Sequence, residues 1–190
     1  MAKTMGAVMG NNMEEEIILE TERLALRRLR RADYADLCLM LKDEEVMYAY
    51  EHAFSPEEVQ EWLDKQLKRY REDGIGLWAV ISKETGEFLG QCGLTWQETD
   101  QGQELEVGYL FKKAYWHQGY ATEAAKACKE YAFYVLGKNR VTAIIRDNNL
   151  PSQRVAERLG MIPERQFVKH YYGMDMPHII YSIACQEGCL

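Results

Sequence analysis

The chain has 190 residues, of which 47% are hydrophobic and 28% are charged, as in an ordinary globular domain. Its formal net charge of -7 argues against a nucleic-acid partner, because contacts to phosphates dominate that affinity, and it mildly favours cationic ligands such as amines. No apolar run approaches the ~20 residues that span a bilayer, so we expect no membrane partner.

The cysteines and histidines indicate neither a disulfide framework nor a metal site. There are 5 cysteines, an odd number, and none forms a C-x-x-C pair. We therefore expect reduced thiols and a cytoplasmic protein. The 4 histidines lack H-E-x-x-H or a similar spacing, so no metal is expected.

The expected organisation is one domain with two short ends. Residues 1–14 are mostly small and polar, and no basic segment followed by an apolar one marks a signal peptide. We expect a flexible leader over residues 1–14, a single domain over 15–186 and a tail over 187–190. No internal repeat and no linker rich in Pro, Gly or Ser divides the chain.

Strand and helix patterns alternate in an order typical of a mixed α/β domain. The clearest helix start is at Ser55, a good N-cap, followed by Pro56 at the first helical position and Glu58, which completes a capping box. That helix ends near Gly74. The other predicted helices cover residues 32–41, 122–136 and 152–159. The predicted strands cover residues 17–19, 24–29, 77–81, 88–95, 105–111, 141–146, 167–172 and 178–184.

The segment over residues 115–125 carries the main functional signal. A strand ends near Phe111, a loop follows, and a helix begins near Ala121. The amides of a first helical turn lack intrahelical partners and sit at the positive end of the helix dipole, so they stabilise phosphates. Gly119 has no side chain and would let these amides approach a pyrophosphate. An ordinary helix start, in which Gly119 only relieves a turn, explains the same residues equally well.

The wider context resembles the GNAT N-acetyltransferases, in particular the branch of the ribosomal-protein N-terminal acetyltransferases. The resemblance runs from about residue 17 over nearly the whole chain, with its motifs in the expected order. The matching segments are Glu20-Thr21-Glu22-Arg23-Leu24, Glu106-Val107-Gly108-Tyr109, Tyr115 through Ala124, Asn139-Arg140-Val141, Asn149-Leu150-Pro151-Ser152 and Leu159-Gly160. The departures are Trp116, where the superfamily often has Arg or Gln, Met161 in place of an aromatic residue, and Pro151 before Ser152.

The resemblance implies a GNAT acyl-CoA N-acyltransferase fold, with a mixed central sheet of about six to seven strands and about four helices on both faces. It also implies acetyl-CoA as cosubstrate, bound in a V-shaped gap between the strands that end at Phe111 and Arg146. No metal is implied. The implied cofactor-binding residues are Val107, Gly108, Tyr109, Trp116, His117, Gln118, Gly119, Tyr120, Ala121, Thr122, Asn149 and Ser152.

The same resemblance implies direct attack by a primary amine in a ternary complex. An α-amine has a pKa near 8, so its deprotonation at pH 7 costs only about 1.4 kcal/mol and a weak base suffices. Glu106 is the implied base, or else a carboxylate tied to a neighbouring cation. Ser152 is the implied proton donor to the leaving thiolate, or else a helix cap, and Asn149 contacts pantetheine or caps the same helix.

Two functional classes remain open at this stage. An N-acetyltransferase would act on a protein N-terminus or a small-molecule amine. A non-catalytic acyl-CoA-binding regulatory module would keep Gly119 and Ala121 but would need neither Glu106 nor Ser152. The presence of both favours the enzyme, while the amine, and whether the chain is a monomer or a homodimer, are left undetermined.

Overall fold

The computed structural model describes residues 17–171 and 173–185. The expected leader over residues 1–14 and the expected tail over 187–190 therefore lie outside the described residues. The same holds for Tyr172, the last residue of one predicted strand.

The described residues form one mixed sheet of eight strands with four α-helices, which confirms the expected fold class, with one or two strands more than the family resemblance implies. The strands are β1 (Ile17–Glu20), β2 (Leu24–Arg28), β3 (Leu77–Ser82), β4 (Phe88–Thr99), β5 (Gly102–Phe111), β6 (Arg140–Arg146), β7 (Ile162–Tyr171) and β8 (Met174–Ala184). The helices are α1 (Tyr34–Leu41), α2 (Pro56–Glu72), α3 (Tyr120–Tyr134) and α4 (Leu150–Arg158).

The strand order is β1-β2-β3-β4-β5-β6-β8-β7, and every neighbouring pair except one is antiparallel. The exception is the parallel pair of β5 and β6, which shares a single register position, Glu106 opposite Thr142. Beyond that position the two strands are no longer ladder partners. The middle of the sheet therefore contains the gap that the family resemblance implies.

Consecutive residues of β4 show that the helices cover both faces of the sheet. Gln91 accepts a hydrogen bond from Trp62 of α2, whereas the next residue, Cys92, has its Sγ 3.5 Å from that of Cys128 on α3. Side chains alternate between the two faces along a strand, so α2 and α3 lie on opposite faces. The gap between β5 and β6 thus belongs to a sheet that is covered by α2 on one face and by α3 on the other.

Several boundaries differ from the sequence-based expectation for identifiable reasons. The hairpin of β4 and β5 extends to Thr99 and Gly102, because polar residues continue its ladder beyond the buried part. β7 begins at Ile162 rather than at Phe167. Its Pro163 breaks the apolar alternation, yet Pro is tolerated there since β7 is an edge strand.

Candidate active site

The loop before α3 leaves the start of that helix open. The N-cap is Gly119, whose φ of 83° lies in the left-handed region that glycine adopts without strain, and it offers no side chain to the first amides. The first helical hydrogen bond runs from the Glu123 amide to the Gly119 carbonyl. The amides of residues 120–122 therefore remain available for a ligand, as the motif predicts.

Two side chains of this loop hold its shape. The indole Nε1 of Trp116 donates to the Phe111 carbonyl at 2.9 Å, and the Gln118 amide donates to the Ala114 carbonyl at 3.0 Å. The backbone of His117 lies in the left-handed region, with a φ of 60°. Trp116 and Gln118 were predicted to bind the cofactor, and their side chains are used here to close the loop onto the end of β5.

Arg23 is a part of this site that the sequence reasoning missed. Its guanidinium donates to the Gln118 carbonyl at 3.1 Å and to the Glu123 carboxylate at 2.7 Å, and it lies over the Tyr120 ring, 4.4 Å from the ring centroid. Thr21 donates to the same carboxylate at 2.6 Å. The segment between β1 and β2 thus clamps the loop and neutralises the acid in the first turn of α3.

The charge of Glu123 would otherwise oppose phosphate binding. Burial raises the pKa of Glu123, but hydrogen bonds from Thr21 and from Arg23, together with the positive charge of Arg23, lower it overall. The carboxylate is therefore ionised and matched by a cation at neutral pH. The sequence contained one indication that Thr21 and Arg23 matter, because Glu20 to Leu24 match a motif of the family.

A shallow cavity lies beside the open helix start, and its composition suits phosphate groups. Lys126 and Arg158 contribute two cations that no sequence motif indicated. Positive side chains next to unpaired helix amides favour anions. The lining residues are His117, Gly119, Thr122, Glu123, Lys126 and Arg158.

A second cavity, of about 260 Å³, lies where β5 and β6 separate. It brings together the six predicted residues that are not part of the loop. These are Glu106, Val107, Gly108, Tyr109, Asn149 and Ser152. Three of the remaining predicted residues line the shallow cavity beside α3, namely His117, Gly119 and Thr122. The other four line neither cavity, namely Trp116, Gln118, Tyr120 and Ala121.

Glu106 lies at the point where the two strands part. One carboxylate oxygen accepts from the Ile144 amide of β6 at 3.3 Å, and the other accepts from the Thr95 hydroxyl at 3.4 Å. Both distances are longer than the usual 2.7–3.2 Å, so these hydrogen bonds are weak. Among the described residues, no Lys, Arg or His lies within ion-pair distance of Glu106, so its carboxylate is not held by a neighbouring cation.

The start of α4 shows which of the two residues, Asn149 or Ser152, caps this helix. The helix begins at Leu150, two residues before the predicted start, and its N-cap is Asn149, whose side-chain oxygen accepts from the Ser152 amide at 3.2 Å. Ser152 is the third residue of the helix, so the idea that Ser152 caps it is wrong. Asn149 caps the helix and also accepts from the Tyr48 hydroxyl at 2.7 Å.

Tyr109 connects the two halves of the cavity wall. Its hydroxyl donates to the Ser152 carbonyl at 2.8 Å, which joins β5 to the first turn of α4. Burial raises the pKa of Tyr109, so the phenol stays protonated at neutral pH. The family resemblance implies only that Tyr109 binds the cofactor, whereas in the structure its side chain also holds the backbone of Ser152.

The described part of the chain contains no group of three or more His, Cys, Asp or Glu residues that could hold a metal ion. Within the same residues, no helix is long and apolar enough to cross a membrane.

Comparison with known proteins identifies the family. Residues 23–162 match the model of the acetyltransferase (GNAT) domain, and the chain belongs to this family. The protein YkkB of Bacillus subtilis is 37% identical over 150 residues, which cover 78% of this chain and 87% of YkkB. The GNAT family identification based on the sequence is thus confirmed.

Solved structures agree with this identification. The crystal structure of an acetyltransferase from Agrobacterium tumefaciens aligns with a TM-score of 0.75 at 26% identity, covering 88% of this chain and 94% of that one. RimL, the ribosomal L7/L12 alpha-N-protein acetyltransferase, was solved with coenzyme A and aligns with a TM-score of 0.73, covering 89% of this chain and 98% of its own. At 17% identity, the likeness to RimL concerns the fold alone.

Proposed function

We propose that this protein transfers the acetyl group of acetyl-CoA to a primary amine by direct attack in a ternary complex. The observation that carries this proposal is that Glu106 and Ser152, the two side chains suited to move protons, line one cavity at the separation of β5 and β6. A binding module would need neither of them. Membership of the GNAT acetyltransferase family supports the same class of reaction.

The residues around the gap suit acetyl-CoA at both of its ends. The open start of α3, with Lys126 and Arg158 beside it, can hold the phosphates. From there the space between β5 and β6 leads to the cavity at Glu106 and Gly108. The bound cosubstrate would supply an activated acetyl thioester, and the protein has to position it and manage two protons.

Glu106 is proposed as the base that removes a proton from the attacking amine. Its carboxylate lines the cavity and makes only two long hydrogen bonds, so it retains lone pairs that can accept a proton. A base of modest strength is sufficient for an amine whose pKa lies near 8. A water molecule between Glu106 and the amine would serve the same purpose.

Ser152 is proposed as the proton donor to the departing thiolate. It lines the same cavity, and its backbone is fixed on both sides, by Asn149 at its amide and by Tyr109 at its carbonyl. A donor held in this way loses little freedom when the reaction occurs. The strand amide near Tyr109 is the proposed partner of the thioester oxygen.

The decisive experiment is release of coenzyme A thiol from acetyl-CoA in the presence of a panel of amines and peptides. For Glu106→Gln, which keeps the shape but removes the proton acceptor, we expect kcat to fall on the order of a hundredfold. Glu98→Gln provides a matched control, because Glu98 is an exposed residue of β4 outside the cavity. A Glu106→Gln enzyme with normal kcat at every pH would assign Glu106 a structural role.

The alternative of a non-catalytic acyl-CoA-binding module makes the opposite prediction. Such a protein would bind acetyl-CoA in calorimetry but release no thiol with any amine. One observation favours this alternative. Glu106 of β5 accepts a hydrogen bond from the Ile144 amide of β6, and a carboxylate that joins two strands has a structural use without catalysis. Under that reading, Glu106→Gln would lower stability rather than activity.

A further inference from the structure

The central cavity contains more charge than the proposed acetyl transfer requires. Lys65 and Arg69 of α2 and Lys169 of β7 line it, and none of these three residues was indicated by a motif. Trp62, Lys65 and Arg69 follow one another at intervals of three and four residues, so they lie on one face of α2. That face and the hairpin of β7 and β8 together form the side of the cavity away from α3.

These three cations have no ion-pair partner within the described part of the chain. Sixteen ion pairs occur there, and none includes Lys65, Arg69 or Lys169. The cavity is also lined by Arg146, which is paired with Glu51, and by a single carboxylate, that of Glu106. The chain as a whole has a net charge of -7, so a cavity lined by several cations and one carboxylate differs in sign from the protein as a whole.

The ionisation of nearby groups is consistent with a positive environment. Burial lowers the pKa of Lys65, and the charges of Arg69 and Lys169 lower it further. Burial likewise lowers the pKa of His178, another lining residue, and the charges of Lys169 and Arg146 add to this effect. Lys65 is thus repelled by the other two cations, whereas burial lowers the pKa of Arg69 and the charges of Glu106 and Asp73 raise it. An anion would relieve the repulsion on Lys65.

A buried donor of the same wall also lacks a partner. Gln91 of β4 lines the cavity and is 0% exposed, and its side-chain oxygen is used by Trp62. Its Nε2 has no hydrogen-bond partner among the described residues. Buried donors are nearly always satisfied in folded proteins, so this one favours a ligand that presents an acceptor oxygen.

From this arrangement we propose that the acceptor is a primary amine whose own molecule also carries an anionic group, a carboxylate or a phosphate. The anion would lie against Lys65, Arg69 and Lys169, with the amine directed towards Glu106. This inference rests on the proposed acetyl transfer and specifies its substrate class. It also reverses the expectation from net charge, because a polyamine with no anion would be repelled by this wall.

The cationic wall would assist the reaction as well as bind the substrate. A nearby positive charge disfavours the protonated form of an amine and so lowers its pKa. More of the bound amine would then be neutral and able to attack. A carboxylate carries one negative charge against the three cations, so part of this effect remains when the anion is bound.

The test compares matched amines that differ only in the anion. Thiol release from acetyl-CoA is measured with β-alanine against β-alaninamide, with phosphoethanolamine against ethanolamine, and with spermidine as a polycation. We expect the anionic member of at least one pair to have a kcat/KM about tenfold higher, and the pair that responds distinguishes carboxylate from phosphate. The preference should decrease as salt is added, because ions screen the attraction.

Variants then locate the preference. Lys65→Gln, Arg69→Gln and Lys169→Gln should each reduce the ratio between the paired amines severalfold, mainly through KM. Lys68→Gln is the matched control, because Lys68 lies on the same helix, is 62% exposed, pairs with Glu72 and does not line the cavity. Equal kcat/KM within both pairs, or a preference for spermidine, would overturn the inference.

Binding separates this inference from the proposed function. Calorimetry with the CoA-loaded protein measures the affinity for each amine without turnover. If no amine releases thiol but β-alanine or phosphoethanolamine binds more tightly than its partner without the anion, the acetyl transfer is wrong and the anion site stands. If thiol is released equally from neutral and anionic amines, the acetyl transfer stands and the anion site is wrong.

Discussion

The starts of α3 and α4 each line one of the two cavities of the candidate site, yet they are built in opposite ways. α3 begins at a glycine that provides no side-chain cap, and two cations lie beside its free amides. α4 begins at Asn149, whose side chain satisfies the Ser152 amide. One helix start is left for a ligand to complete, and the other is completed by the protein.

The difference assigns the two helices different tasks. An open helix start leaves its backbone amides free to bind an anion. A capped start fixes its first turn in advance. The arrangement is therefore suited to phosphates held by α3 and to a side chain, that of Ser152, held in a defined place by α4.

The strongest test of this contrast is Ser152→Ala. Since Asn149 supplies the cap, loss of the hydroxyl should leave the stability of the protein unchanged, while loss of a proton donor should lower kcat by about a hundredfold. Steady-state kinetics and thermal unfolding on the same sample measure both effects. Ser152→Thr, which keeps a hydroxyl, is the matched control. An alanine variant with normal kcat would move the donor role elsewhere, and Tyr109 is the neighbouring hydroxyl.

The second test fills the open helix start. Gly119→Asp places a side chain and a negative charge where phosphates are expected, so the affinity for acetyl-CoA should fall at least about tenfold, or 1.4 kcal/mol. Aspartate at a positive φ is also strained, and Gly137→Asp controls for this, because Gly137 has a φ of 61° beyond the other end of α3 with nothing within 4 Å. Calorimetry on the folded variants gives the result. Equal affinity for both variants would remove the phosphate role of the loop.

The smallest expected effect is at the closed helix start. Asn149→Ala removes a cap, which typically costs about 1 kcal/mol of unfolding free energy. Asn149→Asp should restore most of this stability, because aspartate is an equally good cap and can still accept from Tyr48. Denaturant unfolding of the three proteins gives the comparison. If Asn149→Ala is as stable as the wild type, the two helix starts differ less than their geometry indicates.

The sequence predicts the α3 side of the site better than the α2 side. Glu106, Gly108 and Gly119 occur within motifs whose order and spacing are shared by a whole family, and the structure places them around the predicted gap. Their roles follow largely from the backbone, which is determined locally. That is why a sequence of about twenty residues carries so much of the information.

The α2 side carries no comparable signal. Lys65 and Arg69 look like ordinary solvated positions of an amphipathic helix, and Lys169 lies in an edge strand. Only tertiary packing brings them to one cavity. The sequence offers two roles for Asn149, a contact with pantetheine and a helix cap. The hydrogen bonds of its side chain show the cap, and the contact with pantetheine stays a prediction.

The clamp formed by Arg23 and Glu123 connects segments that are 100 residues apart in the chain. The loop before α3, which we propose to bind the phosphates, takes its shape partly from this contact. Detachment of β1 and β2 from the sheet is therefore expected to weaken cosubstrate affinity. Thermodynamic linkage requires the reverse as well: a bound cosubstrate must hold these first strands in place, by RT ln(1 + [L]/Kd) if only the attached form binds. Hydrogen exchange of the β2 amides would therefore slow as acetyl-CoA is added. Exchange in β2 would then measure how much acetyl-CoA is bound at the start of α3, although the two elements are distant in the sequence.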